Sequence, residues 1–121
     1  MKFNGIVWLG VRTDKFNELA DFYENKLKLS VIHNEHGFKT FDLPNGDRIE
    51  IFSDTYKNKE HFTTGPVAGF AVDNVEITRE EMQKQGVEFI GKIQGTPGKT
   101  RWAHFRGPDG NIYEITDRRA R

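Results

Sequence analysis

The sequence predicts an α+β fold made of two tandem βαβββ modules, and three observations carry that prediction. An eight-residue phrase occurs twice, as Pro-Asn-Gly-Asp-Arg-Ile-Glu-Ile at 44–51 and Pro-Asp-Gly-Asn-Ile-Tyr-Glu-Ile at 108–115. The copies keep an offset of 64 from Phe41 and Phe105 through Glu50 and Glu114 to Ile51 and Ile115. Around each copy the apolar pattern runs strand, helix, strand, strand, strand. Helices lying on one face of a mostly antiparallel sheet define the α+β class, and duplication suggests a site shared by the two modules.

Residues 3–11, Phe-Asn-Gly-Ile-Val-Trp-Leu-Gly-Val, read as a strand, after which Thr13 and Asp14 offer a helix N-cap. Phe16, Leu19, Ala20, Tyr23 and Leu27 then recur on one helical face, which predicts a helix over 15–26. A strand at 29–33 and a turn at Gly37 follow. Residues 38–43 and 48–53 form a hairpin around Asn45-Gly46, where the glycine supplies the positive φ of a tight turn. The stretch 54–64 is polar and lysine-rich and reads as a linker.

The second module repeats the order. Residues 67–72 read as a strand and 73–85 as a helix ending at Gly86, a C′ glycine. Thr78 and Glu81 fit a capping box, which would delay the regular helix to Thr78. A strand at 87–93, a glycine-rich loop at 94–99 and a hairpin of 100–105 with 112–116 complete the module, and 118–121 reads as a frayed tail. The expected organisation is a single domain, 1–121, with modules 3–53 and 65–117 joined by the linker. Modules of this size lie at the lower limit for independent folding, so they are expected to fold together or through a partner subunit.

Composition narrows the function. Eighteen basic and 18 acidic residues cancel, which gives no footprint for nucleic acid or a membrane surface. The sequence has no apolar run of transmembrane length, and its first residues lack the apolar core of a signal peptide, so a cytoplasmic location is expected. The absence of cysteine removes disulfides, thiolate nucleophiles and zinc–thiolate sites. Ten Phe, three Tyr and two Trp suffice for a small core and a lined cavity. The run Gln94 to Lys99 superficially suggests a phosphate loop but lacks its spacing and its following helix.

The doubled unit with its Pro-Asp-Gly-Asn hairpin before a glutamate resembles the vicinal oxygen chelate superfamily, the glyoxalase, bleomycin-resistance and extradiol-dioxygenase group. Leu19-Ala20-Asp21-Phe22-Tyr23, Phe70-Ala71-Val72-Asp73-Asn74-Val75 and Gln85-Gly86-Val87 add to the resemblance, which spans about residues 3 to 117. It implies a curved mixed sheet, a small-molecule ligand and a homodimer. It also implies a divalent ion held by the first and last strands of each module. The last-strand positions fall on Glu50 and Glu114, but the first-strand positions fall on Trp8 and Val67, neither of which ligates a metal. The expectation is therefore a site without a metal or other cofactor; a divalent ion, if held, falls to Glu50 and Glu114.

Converging carboxylates repel, so Glu50 and Glu114 call for a cation: Arg48, Arg101, Arg106, a metal or a positively charged ligand. Trp8 either fills the space of the missing metal site or forms a stacking wall. By strand alternation Trp102 and His104 share a face opposite Arg101, Ala103 and Phe105. His104 and Glu114 are the candidates for proton transfer. His33, His36 and His61 read as solvated, and Arg12 as a surface residue or an anion contact. The ligand-binding candidates are thus Trp8, Glu50, Trp102, His104 and Glu114. Three functions stay open: a small-molecule-binding protein that sequesters a cationic or aromatic ligand, a lyase, isomerase or dioxygenase-type enzyme, and a non-catalytic interaction module.

Overall fold

A computed structural model describes residues 1–58, 61–63 and 65–118. The expected frayed tail beyond 118 and part of the expected linker lie outside them. The chain divides into two compact units, one of residues 8–66 and one of residues 1–7 with 67–121.

The first unit holds β1 (Ile6–Thr13, which begins just before the division), α1 (Phe16–Asp21), β2 (Ser30–Glu35), β3 (Phe38–Asp42) and β4 (Arg48–Ser53). Its strands lie in the order β2-β3-β4-β1, with β2–β3 and β3–β4 antiparallel and β1–β4 parallel. The second unit holds β5 (Val67–Ala71), α2 (Val75–Lys84), β6 (Glu88–Gly95), β7 (Arg101–Arg106) and β8 (Ile112–Thr116), in the order β5-β8-β7-β6 with β5–β8 parallel. The N-terminal segment joins this unit through Asn4 N–H to the Ala71 carbonyl and Ala71 N–H to the Gly5 carbonyl, both 2.8 Å. Each unit is therefore βαβββ with a mixed sheet, and the α+β class holds.

The helix expected over 15–26 is regular only to Asp21 and continues as a π-helical turn, Phe22–Lys26, closed by Leu27 N–H to the Phe22 carbonyl at 2.9 Å. The wider turn inserts a residue into the helical phase. Leu27 consequently leaves the apolar face and is 49% exposed, while Leu29 takes its place against Ala20, Phe41 and Ile51. Lys28, at φ +60°, turns the chain into β2.

The second helix also starts differently from expectation. Its N-cap is Asn74, whose Oδ1 accepts from Ile77 N–H at 2.8 Å, so the Thr78–Glu81 capping box is not used; Thr78 is buried inside the helix. Gly86 ends the helix at φ +87° as expected. Val75 and Met82 on α2 pack with Val72, Ala103 and Ile115 to form this unit's core. The loop expected at 94–99 is partly strand, because β6 extends to Gly95 through a register shift after Ile90.

Candidate functional site

Strand alternation divides each sheet into a helix-facing set of residues and a set on the opposite face. In the first unit Phe41, Ile49 and Ile51 pack toward α1. Their neighbours in sequence form cross-strand pairs on the other face: Asp42 with Arg48, Thr40 with Glu50, and Phe38 with Phe52, while Gly10 of β1 stands beside Glu50.

Glu50 is the polar centre of this face. Trp8 Nε1–H donates to its Oε1 at 3.0 Å and Thr40 Oγ1–H to its Oε2 at 3.1 Å. The buried Trp8 ring lies across Gly10, where a Cβ would collide with it, so the glycine is what lets the indole reach the carboxylate. Both donors are neutral, and each can orient a charged carboxylate without cancelling its charge.

Aromatic side chains continue from Trp8 along the face. Ring centroids are 6.0 Å apart for Trp8–Phe62, 6.1 Å for Phe52–Phe62, 5.0 Å for Phe38–Phe52 and 5.3 Å for Phe38–Tyr56, the last pair stacked at 19°. Phe62 is buried and Tyr56 half-buried, so the stretch expected to be a plain linker packs onto the strands in its described part. Arg12 holds it there: Nη1–H groups donate to the Ser53 and Tyr56 carbonyls at 2.8 and 2.9 Å, and Nη2 donates to the Asn58 carbonyl. The same guanidinium stands 5.5 Å over the Phe52 ring. Arg12 is thus half-buried and acts as a backbone clamp.

In the second unit Ala103 and Phe105 pack toward α2, and Trp102 and His104 take the other face, as alternation predicts. His104 is the cross-strand partner of Glu114. Its Nε2 lies 2.9 Å from Glu114 Oε1, within hydrogen-bonding distance, and in the tautomer protonated at Nε2 the imidazole donates to the carboxylate. His104 is fully buried and Glu114 is 4% exposed. Trp102 is half-buried and pairs across the strands with Thr116 and Gln94.

The arginines expected to serve the glutamates make other contacts. Arg48 Nε bonds Asp42 at 2.8 Å, Arg101 pairs with Glu76 and Asp117, and Arg106 bonds the Gly110 carbonyl at 3.1 Å and approaches Glu88. Of the other histidines, His33 lies 3.5 Å from Glu35 on the surface, and His61 sets its ring edge-on to Phe62 at 4.7 Å, so it is not simply solvated. His36 lines a polar depression of about 670 Å³ with Asp14, Glu18, Glu35 and Asp54. Nearby, Tyr56 O–H donates to Glu35 at 2.6 Å; this bond holds the Glu35 carboxyl below the ordinary carboxylate range and raises the Tyr56 phenol.

A divalent ion does not fit this donor set. Trp8 presents an N–H and no lone pair, and Val67 presents hydrocarbon, at the two positions where the resemblance requires ligands. Among the described residues no three His, Cys, Asp or Glu side chains gather into a metal-binding group.

Thr40 was not singled out from the sequence, although it stands 64 residues before His104, the same offset that relates Glu50 to Glu114. That offset was the signal that could have found it. For Phe62 the signal was a large aromatic inside a polar stretch.

The chain belongs to the Glyoxalase/Bleomycin resistance protein/Dioxygenase superfamily, whose family model matches residues 5–115. Among solved structures it is similar to methylmalonyl-CoA epimerase from Mycobacterium tuberculosis, with TM-score 0.70 and 14% identity over 94% of this chain and 87% of that one. Similar in fold are a methylmalonyl-CoA epimerase variant of Streptomyces coelicolor in complex with 2-nitronate-propionyl-CoA (TM-score 0.69, 15% identity, 95% and 97% covered) and a hypothetical protein of Bacillus halodurans (TM-score 0.70, 16% identity, 93% and 92% covered). No curated protein matches the chain. No helix among the described residues is long and apolar enough to cross a membrane.

Proposed function

We propose that this chain is a small-molecule-binding protein that works without a metal and sequesters a small cationic or aromatic ligand. The observation that carries the reading is the Trp8–Glu50 hydrogen bond. An indole stands where the superfamily resemblance puts a metal ligand, and it orients a carboxylate through a neutral donor. A carboxylate beside aromatic faces is the chemistry that recognises cations and planar rings. In this reading Glu50 supplies charge and Trp8 an aromatic wall in the first unit, while Glu114, His104 and Trp102 are the corresponding candidates in the second. The protein is expected to be a cytoplasmic homodimer.

The test is a titration with planar cationic dyes, followed by tryptophan fluorescence in the wild type and in Glu50→Gln. Saturable quenching that weakens about tenfold or more in the folded variant is expected, in line with loss of a charge-assisted contact. Equal binding by both proteins would remove Glu50 from the reading, and no binding by either would remove the ligand class.

The 2.9 Å His104–Glu114 contact favours a second reading, a metal-free isomerase or lyase in which the carboxylate orients the imidazole as a general base. It predicts solvent-deuterium exchange into a carbon acid substrate that is lost in His104→Gln.

A further inference from the structure

Two asparagines in this chain precede a glycine, Asn4-Gly5 and Asn45-Gly46, and the fold treats them differently. Such pairs are chemically labile because glycine leaves its own amide nitrogen unshielded. That nitrogen, after giving its proton to solvent, can attack the asparagine Cγ. The new N–C bond closes a succinimide, the side-chain nitrogen takes up a proton and leaves as ammonia, and water then opens the ring to aspartate or isoaspartate. No oxidant or partner is needed, and the mass rises by the difference between water and ammonia.

The turn at Asn45 opposes this step at both reacting groups. Gly46 N–H is bonded to the Leu43 carbonyl at 2.9 Å, so the nucleophile is occupied. The Asn45 side chain is held toward Asp47, with Nδ2–H donating to Oδ2 at 2.9 Å and Oδ1 accepting from Asp47 N–H at 3.0 Å. Leaving this arrangement requires opening the hairpin.

The segment at Asn4 leaves the nucleophile unguarded. Its bonds to β5 run from Asn4 N–H and to the Gly5 carbonyl, and among the described residues they leave the Gly5 N–H out. Gly5 is exposed at φ +130°, with nothing within 4 Å of where a Cβ would be. Among the described residues the Asn4 side chain makes an exposed bond, Nδ2–H to Asp73 Oδ1 at 2.9 Å.

We propose that Asn4 is a site of spontaneous deamidation in the folded protein and that Asn45 is protected by its turn. The product matters physically. A carboxylate at position 4 would face the Asp73 carboxylate where an amide now donates to it, replacing a hydrogen bond by like-charge repulsion at the join between residues 1–7 and β5.

The experiment is incubation of the folded protein in mildly alkaline buffer, with tryptic mapping of the peptides spanning residues 3–12 and 40–48 over time. Peptide 3–12 should gain mass at least about tenfold faster than 40–48 while the protein is folded, because the second reaction must wait for local opening. In guanidinium the two rates should converge. Asn4→Gln should abolish the early mass change of the intact protein. Equal rates in the folded state, a faster reaction in 40–48, or an early change that survives Asn4→Gln would each overturn the proposal.

Discussion

The two modules carry a carboxylate at the same register and give it different neighbours. Glu50 stands beside Gly10 and across from Thr40; Glu114 stands beside Gly69 and across from His104. Two residues before those glycines, Trp8 of the first module corresponds to Val67 of the second. The first carboxylate is therefore half-buried among neutral donors and aromatic rings, and the second is buried against an imidazole. The backbone duplicates a position, and the chemistry of that position is decided by the two side chains beside it. A carboxylate held by a tryptophan N–H and a threonine hydroxyl suits recognition, whereas one held by a histidine suits storing or moving a proton.

The largest effect that distinguishes them concerns the cross-strand partners. His104→Ala should destabilise the protein by about 3 kcal/mol or more, because it leaves a buried carboxylate without its imidazole. Thr40→Val should cost only about 1 kcal/mol, since Trp8 still donates to Glu50. Urea unfolding of both variants gives the comparison, and equal losses would break it.

A smaller effect is expected at Arg12, which has no counterpart clamp described in the second module. Arg12→Met keeps much of the packing on Phe52 but frees three carbonyls, for a loss of about 1.5–3 kcal/mol and faster proteolysis within 54–63. Unchanged proteolysis would mean that aromatic packing alone holds the segment.

The smallest effect is on pH dependence, and here the modules should agree. Tyr56 with Glu35, and Tyr113 with Asp109, each pair a raised phenol with a lowered carboxyl, caused chiefly by the hydrogen bond between them. The carboxylate contribution is present above the ordinary carboxylate value and is lost as pH falls through the lowered one. The phenol contribution is present below the ordinary tyrosine value and is lost as pH rises through the raised one. Ultraviolet titration should show late-ionising tyrosine, reduced by Tyr56→Phe and by Tyr113→Phe alike. If only one variant changes the curve, the two hydrogen bonds are not equivalent in solution.

Much of this was legible in the sequence because it rests on local rules. The repeated Pro-[Asn/Asp]-Gly phrase placed both hairpins, and period-2 alternation put His104 and Ala103 on opposite faces. What escaped depends on tertiary context. The π turn at Phe22–Lys26 moves Leu27 off the helix face, and no spacing of apolar residues announces the inserted residue. Asn74 outcompetes the capping box because Thr78 is drawn into the buried side of α2. Tyr56 and Phe62 lie in a polar stretch whose composition signals a linker. They are recruited by rings 18 and 54 residues earlier in the chain, Phe38 and Trp8.

In the proposed reading Trp8 and Glu50 form a recognition pair where a metal ligand would otherwise stand. Its most direct test is isothermal titration of chelator-treated protein with Mn²⁺, Ni²⁺ and Zn²⁺, for the wild type and Trp8→His. The wild type is expected to show no stoichiometric metal binding, with any gain confined to the variant, whose imidazole would add a lone-pair donor beside Glu50. Tight stoichiometric binding by the wild type, abolished in Glu50→Gln or Glu114→Gln, would contradict the reading.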